Sequence, residues 1–168
     1  MSPSGFLSAA SIAQRFIAVA VLCLAAVAMA LLGQHGFDMQ PCPWCILQRL
    51  LYLVIALVCL VGAVLRPRPA RLAAAGLSIL LAVLGMTAAV WQHVVAAKSS
   101  SCNLTLADKV LNALGVESLM PALFQVTANC ADAAVKVLGI PFEYWSLALF
   151  ALLALIATTT LKQRSTPA

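Results

Sequence analysis

The chain has 168 residues, of which 64% are hydrophobic and only 9% are charged. A soluble domain of this size is usually about half apolar and about a quarter charged, so the composition argues against a soluble globular protein. The formal net charge of +5 could suggest a nucleic-acid partner. The basic residues are instead concentrated beside long apolar segments, which is typical of membrane proteins.

Four apolar stretches are long enough to cross roughly 30 Å of hydrocarbon, for which a helix needs about 17–25 residues. They cover residues 16–32, 46–65, 72–91 and 144–161. The sequence therefore predicts an all-α membrane protein in which a bundle of four transmembrane helices forms a single domain over residues 1–168. The first stretch could alternatively be a secretory signal cleaved after Ala28-Met29-Ala30. Its length, and the closeness of the next span, favour a retained first helix.

The distribution of basic residues predicts the orientation of these spans. If the spans alternate in direction, six of the ten basic residues lie on one side of the membrane. The first loop on the other side, which covers residues 33–45, has no Lys or Arg. Basic residues in short loops mark the cytoplasmic face. Both termini are therefore expected in the cytoplasm, with loops 33–45 and 92–143 outside. The six residues are Arg15, Arg66, Arg68, Arg71, Lys162 and Arg164.

The six cysteines fall into two groups by position. Cys23 and Cys59 lie in the middle of apolar spans, where a thiol stays protonated and packs as a small hydrophobe. The other four, Cys42, Cys45, Cys102 and Cys130, lie in the outer loops or at their edge. Four cysteines allow three pairings. The close spacing of the first two favours a bridge between them, which leaves Cys102 with Cys130.

The segment Cys42-Pro43-Trp44-Cys45 favours redox chemistry over its two alternatives. Structural zinc sites prefer two closely spaced pairs, and here only one pair is close. A purely structural disulfide is the second alternative. Pro43 suits the first turn of a helix, which places Cys42 near the N-cap and Cys45 inside the first turn. The positive end of the helix dipole then favours thiolate at both sulfurs.

Three further polar residues are candidates for a role at this site or for plain anchoring. Arg49 follows Cys45 by four residues and so shares its helix face. It could stabilise negative charge beside Cys45, or it could snorkel to the interface as an anchor. His93 reaches a similar depth at the outer end of the third span, where a histidine can also be a simple polar anchor. His35 has no such context and stays unassigned.

A short helix is predicted within the long outer loop. Thr105 followed by Asp108 resembles a capping box, and Gly115 is a plausible stop. The apolar residues Leu106, Val110, Leu111 and Leu114 are expected on one face of this helix. Such a helix can lie in the membrane interface. Packing on the ends of the spans explains the pattern equally well.

Taken together, these motifs resemble the bacterial disulfide-bond formation protein B (DsbB) family over essentially the whole chain. The resemblance rests on four spans, the order of the loop cysteines, the string from Cys42 to Arg49 that enters span two, and Gln92-His93 at the end of span three. It implies a thiol oxidase of the bacterial inner membrane. Such an enzyme re-oxidises the soluble periplasmic oxidant DsbA and passes two electrons to a membrane quinone, ubiquinone or menaquinone.

The resemblance also implies a role for each site residue. Cys102 and Cys130 correspond to the pair that exchanges with the soluble partner, and Cys42 and Cys45 to the pair that exchanges with quinone. Cys45 is expected nearest the quinone ring. Arg49 and His93 correspond to residues of the quinone site, and no metal ligand is implied.

Three other functions compete with this interpretation. One is a disulfide-stapled scaffold subunit without catalysis, which would show no thiol reactivity after mild reduction. A vitamin K epoxide reductase-like protein also combines helical spans, cysteines and quinone, but there the loop pair precedes the membrane Cys-x-x-Cys, whereas here it follows. A cysteine-based membrane metal carrier would use the same thiols as soft ligands. Bound quinone rather than bound metal in the purified protein would separate these two classes.

Overall fold

The computed structural model describes residues 3–98, 105–133 and 135–162, with side chains from residue 12 to residue 161 inside these ranges. Four helices are long and apolar enough to cross a membrane, which confirms the predicted all-α fold class. They are α1 (Pro3–Gly36), α2 (Pro43–Val64), α3 (Arg68–Val94) and α7 (Phe142–Lys162). The loop between α3 and α7 contains a 3-10 turn (Ala96–Lys98), α4 (Leu106–Leu114), α5 (Val116–Leu119), α6 (Pro121–Phe124), β1 (Lys136–Val137) and β2 (Ile140–Pro141).

The helices extend beyond the apolar stretches that predicted them. α2 begins at Pro43 rather than at residue 46, and α3 covers Arg68–Val94 rather than 72–91. Apolarity marks the part of a helix that lies in hydrocarbon, whereas backbone hydrogen bonds continue into the polar interface. The extra turns matter because they carry Cys45 at one helix start and Gln92 at one helix end.

The bundle is held together by three main helix pairs: α1 with α2, α2 with α3, and α3 with α7. Contacts between α1 and α7 are sparser, so these two helices flank a cleft. The centre of the bundle is a stacked pair of rings, Tyr52 on α2 and Phe150 on α7, with centroids 4.2 Å apart and planes 3° from parallel. The polar residues of the candidate active site line this cleft, next to the Tyr52 ring.

Small residues on α3 allow α7 to pack closely. A Cβ atom at Gly85 would lie 2.4 Å from the Phe150 ring, so only glycine leaves room for that ring. Cys23 and Cys59 are also buried in this core, and the Cys59 sulfur lies 3.3 Å from the Ser78 hydroxyl. Their surroundings fit the packing role expected of mid-span thiols.

The predicted short loop helix is present, with its cap and its stop. The Thr105 hydroxyl accepts a hydrogen bond from the Asp108 backbone N–H, and the Asp108 carboxylate accepts from the Thr105 N–H. Gly115 ends the helix at a φ of 62°, in the left-handed region that favours glycine. Leu111 is buried against Ile46 of α2, which corresponds to packing on the end of a span.

The apolar face of α4 is divided between the protein and its surroundings. Leu106 and Leu114 are more than half exposed, whereas Leu111 is buried. The four apolar residues therefore do not share one packed face. A membrane-interface position for the exposed pair stays a prediction.

We expect Gly85→Ala to lower the thermal unfolding temperature of the detergent-solubilised protein. The added methyl overlaps the Phe150 ring, and overpacking a core typically costs about 1–3 kcal/mol. Gly76→Ala is the matched control on the same helix, because nothing lies within 4 Å of a Cβ atom there. Scanning fluorimetry compares the two variants. Equal unfolding temperatures for Gly85→Ala and wild type would show that the close α3–α7 approach is wrong.

Candidate active site

The first turn of α2 brings two of the predicted redox cysteines together. Cys42 is the N-cap residue, Pro43 occupies the first helical position, and the Cys45 backbone N–H donates to the Cys42 sulfur at 3.4 Å. The placement of both cysteines at the helix start is therefore as predicted. The two Sγ atoms lie 2.8 Å apart, so the thiols are in direct contact. A helix N-terminus favours negative charge on such sulfurs.

Cys130 packs directly against this pair, although it lies in the loop between α3 and α7. It is 7% exposed and belongs to one buried cluster with Cys42 and Trp44. Two backbone hydrogen bonds hold its segment in place, because the N–H groups of Thr127 and Ala128 both donate to the Pro41 carbonyl, at 3.1 and 3.3 Å. Cys42 therefore lies between Cys45 on one side and Cys130 on the other.

Hydrogen bonding among these sulfurs separates their acidities. The pKa of Cys42 is raised, first by its hydrogen bond to Cys130, then by its bond to Cys45 and by burial. The same bond from Cys42 lowers the pKa of Cys130, although burial opposes this effect. Cys130 is thus the better placed of the two to exist as the thiolate, which is the form that attacks disulfides.

Cys102, the predicted partner of Cys130, lies outside the described residues. Cys23, Cys42, Cys45, Cys59 and Cys130 all carry free thiols in this structure. The pairing of Cys102 with Cys130 therefore stays a prediction.

A cavity of about 400 Å³ lies beside Cys45, in the cleft between α1 and α7. Its walls are mostly apolar, and its few polar groups come from α2, α3 and α7. A second cavity of about 330 Å³, nearer the outer loop, shares Cys45 and Arg49 with the first. The first cavity is lined by Ala26, Val27, Met29, Ala30, Cys45, Gln48, Arg49, Tyr52, Gln92, Phe142, Trp145, Ser146 and Leu149.

Arg49 is held inside the protein and does not extend to solvent. Its side chain is 4% exposed, and its Nη1 donates to the Gln34 side-chain oxygen at 3.0 Å and to the Leu123 carbonyl. Its Nε is buried and has no hydrogen-bond partner. Within the described residues no carboxylate pairs with it. The guanidinium therefore presents one donor without a partner at the wall of the cavity.

His93 lies away from this cavity. Its Nδ1 is 2.7 Å from a Glu143 carboxylate oxygen, and its ring packs on Tyr144 with centroids 4.7 Å apart. The neighbouring residue Gln92 lines the cavity in its place. His35, at the end of α1, is exposed. The structure thus brings together Cys42, Cys45, Cys130 and Arg49, but not His93.

Several polar residues that line the cavity were not predicted as site residues from the sequence. Gln92 donates a hydrogen bond from Nε2 to the Cys45 sulfur at 3.3 Å. Gln48 and Ser146 are also buried, and both line the cavity. Polar side chains within apolar spans are costly unless they are paired or functional, and this signal could have identified them.

Comparison with known proteins supports the family resemblance. The family described as "Disulfide bond formation protein DsbB" matches residues 13–160. A Disulfide bond formation protein B from Herminiimonas arsenicoxydans is 34% identical over 144 residues, which cover 85% of this chain and 90% of that protein. Disulfide bond formation protein B 1 from Pseudomonas syringae pv. syringae is 34% identical over 158 residues, with 92% and 93% covered.

More distant relatives extend this pattern. A Disulfide bond formation protein B from Nitrosomonas europaea is 29% identical over 153 residues, which cover 89% of this chain and 93% of that protein. The family match spans nearly all of the bundle, and the relatives from Herminiimonas arsenicoxydans and Pseudomonas syringae pv. syringae are covered almost from end to end. This chain therefore belongs to the DsbB family of disulfide bond formation proteins.

Proposed function

We propose that this chain is a disulfide oxidase of the bacterial inner membrane that transfers electrons from a soluble DsbA-type thiol oxidoreductase to ubiquinone or menaquinone. The observation that carries the proposal is the position of the Cys42–Cys45 pair. Cys45 lines the apolar cavity between α1 and α7, while Cys42 contacts Cys130 of the loop. One pair of sulfurs thus faces both a membrane cavity and the loop that carries the other pair.

The proposed orientation follows from the basic residues at one end of the bundle. Both termini lie in the cytoplasm, and the two loops that carry the cysteines lie in the periplasm, where disulfides form. A soluble partner then meets the long loop, and a lipid-soluble acceptor reaches the cavity from the bilayer.

Disulfide exchange would begin at the loop pair. A partner thiolate attacks the Cys102–Cys130 disulfide, the partner's second thiol resolves the mixed disulfide, and Cys102 and Cys130 are left reduced. The Cys130 thiolate then attacks the Cys42 sulfur of a Cys42–Cys45 disulfide. The S–S bond between Cys42 and Cys45 breaks, and Cys45 leaves as a thiolate beside the cavity.

The second half of the exchange restores the loop pair. The Cys102 thiolate attacks Cys130 in the Cys42–Cys130 bridge, which re-forms Cys102–Cys130 and releases Cys42 as a thiol. The net result is that two electrons and two protons have moved from the partner to Cys42 and Cys45. The position of Cys42 between the other two sulfurs supports this order.

The residues around Cys45 fit a quinone. A quinone supplies an acceptor for two electrons and two protons, which Cys42 and Cys45 give up as they re-form their disulfide. The mostly apolar cavity suits an uncharged ring with a hydrocarbon tail. Arg49 offers a buried donor without a partner to a ring oxygen, and its charge, with no carboxylate paired to it among the described residues, offsets negative charge that develops there.

We expect Arg49→Gln to raise the KM for quinone by about tenfold or more, since one charge-assisted hydrogen bond contributes about 1.5–3 kcal/mol. The KM for the thiol partner should change much less, because the partner meets the other pair of cysteines. Steady-state kinetics with each substrate varied in turn measures both values.

Arg71→Gln is the matched control for this experiment. Arg71 is also a buried arginine, but its Nε donates to the Leu65 carbonyl. Leu65 lies at the opposite end of α2 from Cys42 and Cys45. Substitution of Arg71 should leave the KM for quinone unchanged. If Arg49→Gln impairs membrane insertion while quinone kinetics of the inserted protein stay normal, Arg49 is an anchor and not a quinone ligand.

A second expectation concerns which sulfur the partner attacks. Cys130, on the loop, is only 7% exposed because it packs against Cys42 and Trp44, so a soluble protein has little access to it. A Cys130→Ser variant, whose Cys102 is free, should form a covalent adduct with a DsbA-type protein that carries its nucleophilic cysteine in an activated disulfide. Cys102→Ser should form far less adduct on a non-reducing gel.

The variants of the other pair serve as the control. Cys42→Ser and Cys45→Ser should still complete one round of exchange with the partner but should not reduce quinone, as followed by quinone absorbance. An adduct that maps to Cys42 or Cys45 while Cys102 is intact would contradict the relay and make the loop disulfide structural.

A further inference from the structure

A chain of buried hydrogen bonds connects three helices to the Cys45 sulfur. The Ser146 hydroxyl of α7 donates to the Gln48 side-chain oxygen on α2. The Gln48 Nε2 donates to the Gln92 Oε1 on α3 at 2.7 Å, and the Gln92 Nε2 donates to the Cys45 Sγ at 3.3 Å. Each amide accepts on one side and donates on the other, so the bonds run head to tail and end at the sulfur.

The end of this hydrogen-bond series that is farthest from Cys45 is held by aromatic packing. The Tyr52 hydroxyl lies 2.9 Å from the Ser146 Oγ and 3.1 Å from the Ser146 carbonyl oxygen. The Tyr52 ring is stacked on Phe150, and Phe150 fits against Gly85. The Ser146 hydroxyl, which is the first donor of the hydrogen-bond series, therefore has little freedom to move.

The direction of these bonds decides what they do to Cys45. An amide N–H pointed at a sulfur stabilises the thiolate, whereas an amide oxygen in the same place stabilises only the protonated thiol. Gln92 presents its N–H. Because Gln48 donates to the Gln92 oxygen, rotating the Gln92 amide by 180° would place two donors against each other. Gln48 is held in turn by Ser146.

We propose that Gln92 is a further catalytic residue, which donates to the Cys45 sulfur, and that Gln48, Ser146 and Tyr52 are positioning residues that keep its amide in the donating orientation. The inference rests on the proposed function for the role of Cys45. When Cys130 attacks Cys42, the S–S bond breaks and its electron pair stays on Cys45, where Gln92 meets the new negative charge. The same thiolate then gives up its electrons to the acceptor in the cavity that Gln92 also lines.

The hydrogen bond from Gln92 to Cys45 also differs in kind from the contribution of Arg49. Arg49 supplies a full charge one helical turn away, whereas Gln92 supplies a direct hydrogen bond to the reacting atom. A neutral donor stabilises the thiolate without placing another charge in the apolar bundle, where uncompensated charge is costly. The two residues therefore act on Cys45 by different means, one by a direct hydrogen bond and one by charge.

The test measures the reactivity of Cys45 without quinone turnover or a partner. The full-length Cys42→Ser protein, in which Cys45 is an unpaired thiol, is treated with iodoacetamide between pH 5 and pH 9. Alkylation of the Cys45 peptide is followed by mass spectrometry. Adding Gln92→Met, which keeps the side-chain length but removes the donor, should slow alkylation at pH 7 by about tenfold and move the pH profile upward.

Three more variants in the same background make the result specific. Gln92→Glu should slow alkylation further, because a carboxylate cannot donate and repels a thiolate. Gln48→Met should slow it by a smaller factor, since Gln92 keeps its amide but loses its orientation. Ser78→Ala is the matched control, because Ser78 is a buried polar residue of the same helix that bonds to Ala74 and lies near Cys59 instead. It should leave the Cys45 profile unchanged.

The proposal is overturned if Gln92→Met keeps the rate and pH profile of its parent, or if Ser78→Ala shifts them as much. If Gln92→Met does not fold, the Gln48→Met profile decides by the same criterion. A wild-type protein that fails to reduce quinone would refute the proposed function, whereas the alkylation profiles would still decide the role of Gln92.

Discussion

The contact on which the site depends is the bond from the Cys45 N–H to the Cys42 sulfur at the start of α2. An N-cap position is usually filled by an oxygen-bearing side chain. A sulfur in its place puts the reactive atom at the positive end of the helix. Pro43 supports the same turn, since its ring suits the first helical position. The helix start thereby directs Cys42 toward the loop and Cys45 toward the membrane cavity.

Polar groups inside an apolar bundle must be satisfied, and this protein satisfies nearly all of those near the site. Gln48, Gln92, Ser146 and Tyr52 bond to one another, and the final donor of the series reaches Cys45. An unsatisfied buried donor costs about 1–3 kcal/mol. Among the described residues near the site, Trp44 Nε1 and Arg49 Nε are buried donors without a partner, and of these two residues Arg49 lines the cavity. A ligand that accepts from it in the cavity recovers part of this cost.

Much of the fold could be predicted because apolar length and cysteine spacing are local properties of the sequence. The four spans, the N-cap at Cys42 and the capping box at Thr105 all follow from short-range rules. The approach of Cys130 to Cys42 could not be derived, because it depends on the path of the long loop over the bundle. Gln92 rather than His93 faces the cavity for a similar reason, since the rotation of α3 is set by its packing on α2 and α7.

In the proposed function, Cys42 and Cys45 connect thiol oxidation to quinone reduction. The most direct measurement uses a small amount of purified protein with an excess of a reduced DsbA-type partner and a ubiquinone analogue, in the absence of oxygen. Quinone loss is followed by ultraviolet absorbance and partner thiols by titration. We expect many turnovers, with two thiols lost for each quinone reduced, and no quinone loss with Cys45→Ser. Partner oxidation without matching quinone loss, or equal activity in Cys45→Ser, would contradict the proposed function.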